Sequence, residues 1–409
     1  MEPLKDYDAL LSYMDSLGLF HMELGLGRME TFWAVRGRPG VSVVHVIGTN
    51  GKGSTSTFFC SIARTHGIKA GLFTSPHFVS PRERVQINRS LLGREQWVEL
   101  ANEILATPGG AALTYFEFQT CLAMLAFERK NVEIAVMEAG LGGRFDATTV
   151  FSPRLTLFTP IAMDHEKILG PTLRDIARDK AGAIHPGSVA VTGPQRTEAM
   201  AELAERAESV GARLILASDV ADPVVDGRLG LSGPHQRENA RLALAGWRVF
   251  AAMAAIRSEA DAERFGLESA FVPGRMQRVI VGGRSIILDG AHNTHALTAL
   301  GEALKTENIK PASVVFTCLA DKDASAMLPL VRALTDGPVL VPGLENERAG
   351  DATRIASEMG GDARAMPNLD QALKTALALG TEAKGPVLVC GSLYLLGEFY
   401  NIYPEFLTK

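Results

Sequence analysis

The chain has little cysteine and no long hydrophobic run. Its four cysteines are Cys60, Cys121, Cys318 and Cys390. No pair has the spacing of a metal site or a redox motif, so we interpret them as free thiols of a reducing compartment. The most apolar stretch, 242–256, is interrupted by Arg248 and is too short to cross a bilayer. Residues 1–8 are polar and acidic, unlike a signal peptide. We therefore expect a cytoplasmic protein with no membrane partner.

The chain also lacks a strong charge of either sign. Its 41 Lys and Arg residues and 46 Asp and Glu residues leave a net charge of −5. This balance disfavours a polyanion-binding surface, so no nucleic-acid partner is expected. The chain does contain 40 glycines in 409 residues, which indicates tight turns or places where backbone approaches a ligand. At roughly 150 residues per domain, the length predicts two to three domains.

Short apolar runs alternate with helical patterns in the first part of the chain. The predicted strands are rich in Val, Ile and Leu, like strands buried on both faces of a parallel sheet. They are Val43–Ile47, Lys69–Phe73, Ile134–Glu138, Leu155–Thr159, Ser188–Thr192 and Arg213–Leu216. The predicted helices include Ser54–His66, Arg94–Leu105, Phe116–Arg129 and Thr197–Val210. This alternation predicts a large, doubly wound α/β domain at the N-terminal end.

A second alternating set follows Ile280. Its predicted strands are Ser285–Leu288, Ser313–Cys318, Val339–Val341 and Val387–Cys390. Its predicted helices are Thr294–Lys305, Ala324–Leu334, Asp351–Met359 and Asp370–Leu379, with one more at the end. The Pro-Gly pair in Phe271–Arg275 marks a turn between the two sets. We therefore predict two domains, residues 1–271 and a smaller, Rossmann-like α/β domain over residues 272–409.

The segment Val43–Thr55 is typical of a phosphate-binding loop. A buried strand is followed by a glycine-rich turn with Lys52, and then by the start of a helix. Backbone N–H groups, the helix N-terminus and the lysine together suit a polyphosphate. The usual phosphate-loop expression fails in detail, because Val46 replaces a glycine and Gly53 replaces the hydroxyl residue after the lysine. The alternative is a glycine-rich turn with an incidental lysine.

Three further polar residues follow predicted strands. Ser75, Glu138 and His165 each lie where a strand ends or shortly after it, and ligands of open α/β sheets bind beyond the carboxyl ends of the strands. A carboxylate and a hydroxyl beside a triphosphate are natural magnesium ligands, although imidazole suits magnesium less well. Taken singly, Glu138 could instead cap a helix and His165 could be a core histidine.

Ordered blocks along the whole chain resemble one family. They include Gly48–Ser54, Thr74–His77, Glu138–Gly143, Asp179–Gly182, Gly233–Gln236, Pro273–Arg275 and Asp289–Asn293. The blocks extend from His21–Arg28 to Gly391–Tyr394. On these residues the sequence is similar to the folylpolyglutamate synthase/dihydrofolate synthase family, within the Mur ligase superfamily.

The resemblance implies an ATP-dependent amide ligase. A pteroate or folate carboxylate would attack the γ-phosphate of ATP, giving an acyl phosphate and ADP. The amine of L-glutamate would then attack the acyl carbon and phosphate would leave. Phosphoryl transfer depends mainly on positioning and charge neutralisation, so lysines and metal ions matter more than a covalent nucleophile. The blocks do not distinguish dihydrofolate synthesis from polyglutamate extension.

The resemblance also assigns nucleotide and metal residues by position. The nucleotide loop is Thr49, Asn50, Gly51, Lys52, Gly53 and Ser54. Lys52 would hold the β- and γ-phosphates, Ser75 and Glu138 the first magnesium ion, and His165 the second. Lys180 matches a carbamylated lysine of the family, where an ammonium becomes an anion that binds or orients near magnesium. From the residues alone, Lys180 is a plain helix-surface lysine.

Four more residues complete the implied nucleotide site. Asn239 would read adenine, and Arg275 would contact a phosphate or the ribose. Asp289 and His292, on the second domain, would close over the nucleotide. The resemblance implies five catalytic residues: Lys52, Lys180, His165, Asp289 and His292. The alternative for His292 is a strand-end histidine that caps a helix.

The acid and glutamate sites are assigned in the same way. Phe116 would stack on a pterin ring, Asp146 would accept hydrogen bonds from the pterin, and Arg84 would contact the substrate. Ser392 would hold the incoming glutamate. Helix packing explains Phe116 almost equally well.

Two alternatives remain at this point. A ligase of the same architecture could act on a different carboxylic acid, or the chain could be a non-catalytic nucleotide-binding protein. The second is weakened because Lys52, Glu138, His165 and Lys180 are all present. Departures from the family pattern are local, at Thr149 and Thr294. We expect a monomer that binds only small molecules: ATP, L-glutamate and the acid.

Overall fold

The chain folds as two α/β units in this computed structural model, which describes residues 2–18, 25–220, 223–346, 348–379 and 385–408. The first unit combines Met1–Arg228 with Glu238–Ala270, and the second combines Leu229–Arg237 with Phe271–Lys409. Residues 21–24, at the start of the first family-like block, lie outside the described residues. Because 229–237 group with the second unit, each unit is discontinuous along the chain.

The first unit is built on a sheet with eight strands among the described residues. They are β1 (Ser42–Ile47), β2 (Ala70–Phe73), β3 (Val85–Ile87), β4 (Ser90–Leu91), β5 (Ile134–Glu138), β6 (Leu155–Phe158), β7 (Val189–Thr192) and β8 (Arg213–Leu216). Their order is β4-β3-β2-β5-β1-β6-β7-β8, and only β3 and β4 run antiparallel to their neighbours. Strands β5, β6 and β7 are buried along their full length, as strands covered on both faces are.

Helices pack against this sheet. They are α1 (Tyr7–Ser16), α2 (Gly27–Arg36), α3 (Lys52–Thr65), α4 (Arg94–Ala106), α5 (Tyr115–Arg129), α6 (Glu166–Leu169), α7 (Leu173–Ala181), α8 (Thr197–Ser209), α9 (Ala217–Val220), α10 (Pro234–Met253) and α11 (Ala260–Ser269). One core joins α1, α2, α4 and α5 to β2 and β5, with Trp33, Trp97 and Phe118 fully buried. Another joins α7 and α8 to β6 and β7. No helix in the described part of the chain is both long enough and apolar enough for a membrane crossing.

The strand register determines which residues meet at the carboxyl edge of the sheet. In the parallel pair β1 and β5, Val46 lies opposite Glu138, and on the other side of β1 Ile47 lies opposite Phe158 of β6. The turn that follows β1 is therefore flanked by the segments that follow β5 and β6. This is the edge where ligands of open α/β sheets bind.

The second unit contains a smaller sheet of the same kind. Its described strands are β9 (Gln277–Val281), β10 (Arg284–Leu288), β11 (Ser313–Phe316), β12 (Val339–Pro342), β13 (Arg364–Met366) and β14 (Val387–Cys390). Their order is β13-β12-β11-β14-β10-β9, and β9 alone pairs antiparallel. The helices are α12 (Thr294–Thr306), α13 (Ala324–Ala333), α14 (Ala352–Met359), α15 (Leu369–Leu379) and α16 (Leu393–Ile402).

The predicted fold class is confirmed: both units are α/β, with mainly parallel sheets. Ile134–Glu138, Arg213–Leu216 and Val387–Cys390 have the predicted bounds, and the other predicted strands differ by one or two residues at an end. The strands β4, β9 and β13, at sheet edges, and β3, next to an edge, were not predicted. These strands have two to five residues and little burial, so they lack the apolar run that marks a central strand.

Candidate active site

The glycine-rich turn lies between β1 and α3, at the carboxyl edge of the first sheet. Gly48 and Gly51 have φ angles of 152° and 89°, which side chains rarely adopt. A Cβ at Gly48 would collide with Thr159, and one at Gly51 would collide with the side chain of Asn239. The turn therefore requires glycine at both positions. The side chain of Asn239, on α10, lies against it.

Two lysines converge on this turn. Nζ of Lys52 donates to the carbonyl oxygens of Gly48 at 3.2 Å and Thr49 at 3.1 Å, and Nζ of Lys180 donates to the Gly48 oxygen at 3.0 Å. Lys180 is buried, with 4% of its surface exposed. Burial, and then the positive charge of Lys52, lower the pKa of Lys180 to about 7, although nearby aspartates including Asp179 act in the opposite direction. Lys180 is not the helix-surface residue that its sequence setting alone indicated.

The segment after β5 holds the helix that carries Lys180. The backbone N–H of Gly143 donates to Oδ1 of Asp179 at 2.9 Å, and the N–H of Arg144 donates to its carbonyl oxygen at 2.9 Å. A Cβ at Gly143 would lie 2.6 Å from the carbonyl oxygen of Lys180, closer than such atoms approach. Glycine at 143 therefore lets this segment contact α7 directly.

These elements line one polar cleft. Its walls include Gly48, Thr49, Lys52, Lys180 and residues 139–142, together with Asp164 and His165. His165 has a φ of 54° and immediately precedes the short helix α6, and its side chain is half exposed at 49%. The structure thus places His165 and both lysines, which were all predicted from the sequence, in the same cleft.

Glu138 and Ser75 form the candidate metal site. The backbone N–H of Ser75 donates to Oε2 of Glu138 at 3.1 Å. This buried carboxylate oxygen lies 3.4 Å from the Cβ position of Gly53, at the start of α3. In the described parts of the chain, no three His, Cys, Asp or Glu side chains form a group that could hold a metal ion. One carboxylate and one hydroxyl fit an ion such as Mg²⁺, which takes one or two carboxylates and completes its oxygen shell with phosphates and water.

Asp146 has a role within the chain that the sequence analysis did not predict. Its Oδ2 accepts the backbone N–H groups of Gly140 at 2.8 Å and Leu141 at 2.9 Å. Its Oδ1 accepts the N–H and the hydroxyl of Thr148 at 3.0 and 2.5 Å. The carboxylate thus clamps the segment after β5, and a contact with a pterin stays a prediction.

Phe116 contacts this segment, and Arg84 lies over the ring of Tyr115, the residue before Phe116. Phe116, in the first turn of α5, is partly buried, and the centre of its ring is 5.6 Å from that of Phe73. A Cβ at Gly140 would lie 2.6 Å from the nearest ring atom of Phe116. Arg84 is buried, and its Nε donates to Nδ1 of His77 at 2.9 Å. Burial, followed by the charge of Arg84, lowers the pKa of His77 to about 3, so His77 is neutral and its Nε2 carries the proton.

In the second unit, Asp289 holds the turn after the Pro-Gly pair, Pro273 and Gly274. Its carboxylate accepts the N–H groups of Met276 and Ala291, both at 2.9 Å, and burial raises its pKa. A Cβ at Gly290 would collide with the guanidinium of Arg275, so Asp289 and Arg275 lie side by side. Nδ1 of His292 lies 2.8 Å from the carbonyl oxygen of Gly290.

Ser392 is a helix cap. It is buried, with 1% of its surface exposed, and its Oγ accepts the backbone N–H of Tyr394 at 3.1 Å, which caps α16. The helix cap alone explains a serine at this position, so the contact with glutamate stays a prediction.

Sequence reasoning missed one polar residue beneath the site. His45, in the middle of β1, is fully buried, and its Nε2 lies 2.6 Å from Oγ1 of Thr148. The signal was present as a histidine inside an otherwise apolar strand, Val43–Ile47. The strand pattern alone gave it no partner, because Thr148 is about a hundred residues away in the chain.

Known proteins resemble this chain over nearly its whole length. Residues 274–393 match the Mur ligase, glutamate ligase domain. The dihydrofolate synthase/folylpolyglutamate synthase of Escherichia coli is 32% identical, over 96% of this chain and 94% of that protein. The structure of E. coli FolC in complex with DHPP and ADP has a TM-score of 0.87 and 29% identity, and each chain is covered to 99%. A Yersinia pestis bifunctional enzyme complexed with AMPPNP and a Mn ion has a TM-score of 0.87 and 28% identity, over 99% of this chain and 100% of that one.

The first unit is an α/β sheet with a glycine-rich loop of the phosphate-binding kind, and the chain continues into a glutamate ligase domain. Together these define a ligase architecture of the Mur type. Within that class, the chain belongs to the dihydrofolate synthase/folylpolyglutamate synthase family. The resemblance drawn from the ordered sequence blocks is confirmed.

Proposed function

We propose that this protein is an ATP-dependent ligase that joins L-glutamate to the carboxylate of a pteroate or a folate. The observation that carries the proposal is the convergence of Lys52 and Lys180 on the Gly48 carbonyl, at the glycine-rich turn. The names of the relatives support the substrates, and a relative with ADP in its structure supports the nucleotide.

The reaction has two steps. A carboxylate oxygen of the acid attacks the γ-phosphorus of ATP, and the bond to the β-phosphate oxygen breaks, giving an acyl phosphate and ADP. The amine nitrogen of L-glutamate then attacks the acyl carbon, the bond to phosphate breaks, and the amine loses a proton. Both steps bring anions together, so the residues must neutralise charge and fix positions.

The chain's own residues supply most of the charge neutralisation and the positioning. The N–H groups of Thr49–Ser54 and the ammonium of Lys52 receive the phosphates, and Asn239, beside Gly51, contacts the base. Glu138, Ser75 and His165 would hold two magnesium ions, which when bound offset phosphate charge. We also propose nucleotide contacts for Arg275, Asp289 and His292.

We further propose that Lys180 is carbamylated. A pKa of about 7 leaves a large neutral fraction near neutral pH. The lone pair of the neutral amine can attack carbon dioxide, forming an N–C bond and releasing one proton. The product is an anion, which removes the repulsion between Lys180 and Lys52. This change also favours a cation beside the turn.

The acid and glutamate are proposed to contact other residues. Phe116 offers a partly exposed ring for stacking, and the guanidinium of Arg84 is adjacent to the segment that contains Ser75. Asp146 and Ser392 are proposed to contact the pterin and glutamate, respectively, in addition to their bonds within the chain.

Purified protein tests the proposal directly. ADP release and the mass of the product are measured with ATP, Mg²⁺, L-glutamate and either dihydropteroate or tetrahydrofolate. We expect ADP release that requires both the acid and glutamate, and a product heavier by one glutamyl residue. Lys52→Ala should abolish turnover, whereas Lys305→Ala, at an exposed helix position, should not.

Two outcomes would contradict parts of the proposal. No ADP release with any pteroate or folate would contradict the substrate class, and release with a different carboxylic acid would favour the alternative ligase. Full activity in carbon dioxide-free buffer, with no mass increase on Lys180, would contradict the carbamate.

A further inference from the structure

We infer that His45 is a positioning residue: through Thr148 it holds the carboxylate of Asp146, and thereby the segment 140–143 that lines the cleft. Three buried side chains form this connection, His45, Thr148 and Asp146, with 0%, 0% and 5% of their surfaces exposed. The two links measure 2.6 Å and 2.5 Å. The consequence for catalysis rests on the ligase activity proposed above, whereas the connection itself does not.

The hydrogen bonds have a defined direction. Four donors converge on Asp146, namely the N–H groups of Gly140, Leu141 and Thr148 and the hydroxyl of Thr148. The carboxylate accepts in each bond. Because the hydroxyl of Thr148 has a single proton and gives it to Asp146, it must accept from His45. His45 is therefore the tautomer with its proton on Nε2.

Stability does not explain a histidine at this position. Nδ1 of His45 is buried without a hydrogen-bond partner among the residues that the structure describes, and an unpaired buried polar atom is destabilising. An apolar side chain would fit the core position on β1 without that cost. Burial also keeps the ring neutral, with a pKa of about 3, so the ring acts as a fixed donor.

The connection reaches the cleft through Asp146. Its Oδ2 holds Gly140 and Leu141, which line the cleft. Gly140 packs against Phe116, and Gly143 packs against Lys180. The strand that leads into the phosphate loop and the segment facing the acid are thus joined by side chains. Loosening this link should disturb the acid more than ATP, because the glycine-rich turn has its own contacts to Lys52 and Lys180.

Thr148→Val tests the link, because valine keeps the shape and removes the hydroxyl. We expect kcat/KM for the acid to fall about tenfold, as for one lost buried hydrogen bond, with KM for ATP nearly unchanged. Thr148→Ser should restore most of the loss. Thr156→Val is the matched control: Thr156 is also fully buried, lies opposite His45 on β6, and its hydroxyl has no partner within the described residues.

His45→Leu separates positioning from stability. We expect kcat/KM for the acid to fall about tenfold while the melting temperature stays the same or rises, because the unpaired Nδ1 is removed. A merely structural role would lower the melting temperature and leave the kinetics of the folded enzyme unchanged. His45→Gln, whose amide can still donate to Thr148, should lose less activity.

A measurement without turnover completes the test. The ¹⁵N shifts of the histidine rings, with His45 assigned by its absence in His45→Gln, should show the Nε2–H tautomer in the wild type and in Thr156→Val. Thr148→Val should alter the His45 signal. An Nδ1–H tautomer in the wild type would overturn the inference. Equal kinetic constants for Thr148→Val and Thr156→Val would overturn it as well. Absence of ligase activity in the wild type would instead count against the proposed function. The ¹⁵N shifts of His45 would still show whether its ring donates to Thr148.

Discussion

Lys52 and Lys180 donate hydrogen bonds to one carbonyl oxygen, that of Gly48, at 3.2 Å and 3.0 Å. Two amines at a single acceptor repel each other when both are charged. Lys180 is the more buried of the two, and its pKa falls to about 7. A positive charge beside the glycine-rich turn is therefore lost close to neutral pH, on a residue of α7.

The first prediction concerns stability against pH. The pKa of Lys180 is lowered from 10.5 to about 7 by folding, so between these values the unfolded chain binds the extra proton. The free energy of unfolding should therefore rise with pH across this window, by up to about 1.4 kcal/mol per pH unit from this group. Urea unfolding at several pH values in carbon dioxide-free buffer measures the slope. Lys180→Met should have a smaller slope, and equal slopes would show that Lys180 titrates normally.

The second prediction concerns the contact between Gly143 and α7. Gly143→Ala places a Cβ 2.7 Å from Cα of Lys180, so the segment or the helix must shift. We expect a loss of about 1–3 kcal/mol in the free energy of unfolding and a lower turnover, because Lys180 moves relative to Gly48. Gly40→Ala is the control, since a Cβ there meets nothing within 4 Å. Activity and stability equal to that control would contradict the role of the contact.

The third prediction concerns Glu138. Glu138→Gln removes the charge but leaves an oxygen that can accept the N–H of Ser75, so the fold should be retained. If the carboxylate is a metal ligand, the binding of Mg²⁺ with an ATP analogue should weaken roughly tenfold or more, as measured by calorimetry. Glu95→Gln, at an exposed position on α4, should bind as the wild type does. Unchanged binding by Glu138→Gln would remove it from the metal site.

The fourth prediction separates two roles of Ser392. Ser392→Ala removes the cap of α16 and should cost about 1 kcal/mol. Asp351→Ala removes a comparable cap, since Oδ1 of Asp351 accepts the N–H of Arg354 at 2.7 Å, and should cost a similar amount. Only Ser392→Ala should raise KM for L-glutamate. If steady-state kinetics show the same KM for both variants, Ser392 is a cap alone.

The sequence predicted the sheets best where strands are central and apolar. Ile134–Glu138 is buried at every position, and its bounds were predicted without error. Val85–Ile87, next to the edge of the sheet, forms through pairing with β2 and β4, and such a short strand depends on its partners more than on its own residues. The same holds for Gln277–Val281, where Ile280 is 62% exposed.

The candidate site shows a similar division. Lys52 and Glu138 could be predicted because a glycine-rich turn and a strand end have local signatures. The burial of Lys180 could not, since its own helix contains Arg178 and Asp179 and has the character of a surface helix; the segment after β5 covers it. His45 depends on a contact with Thr148, about a hundred residues away, which no local pattern encodes. Asp146 was named from the sequence, but its hydrogen bonds to the nearby Gly140, Leu141 and Thr148 were not predicted.

The path of the chain between the two units has a consequence for folding during synthesis. Helix α10 begins at Pro234, in the segment that groups with the second unit, and continues to Met253, in the part that groups with the first. Asn239, which packs against the glycine-rich turn, is thus made after the first residues of the later unit. The glycine-rich turn cannot reach its final packing while a ribosome has completed only residues 1–228, so a nascent chain of that length should expose the surface that Asn239 later covers.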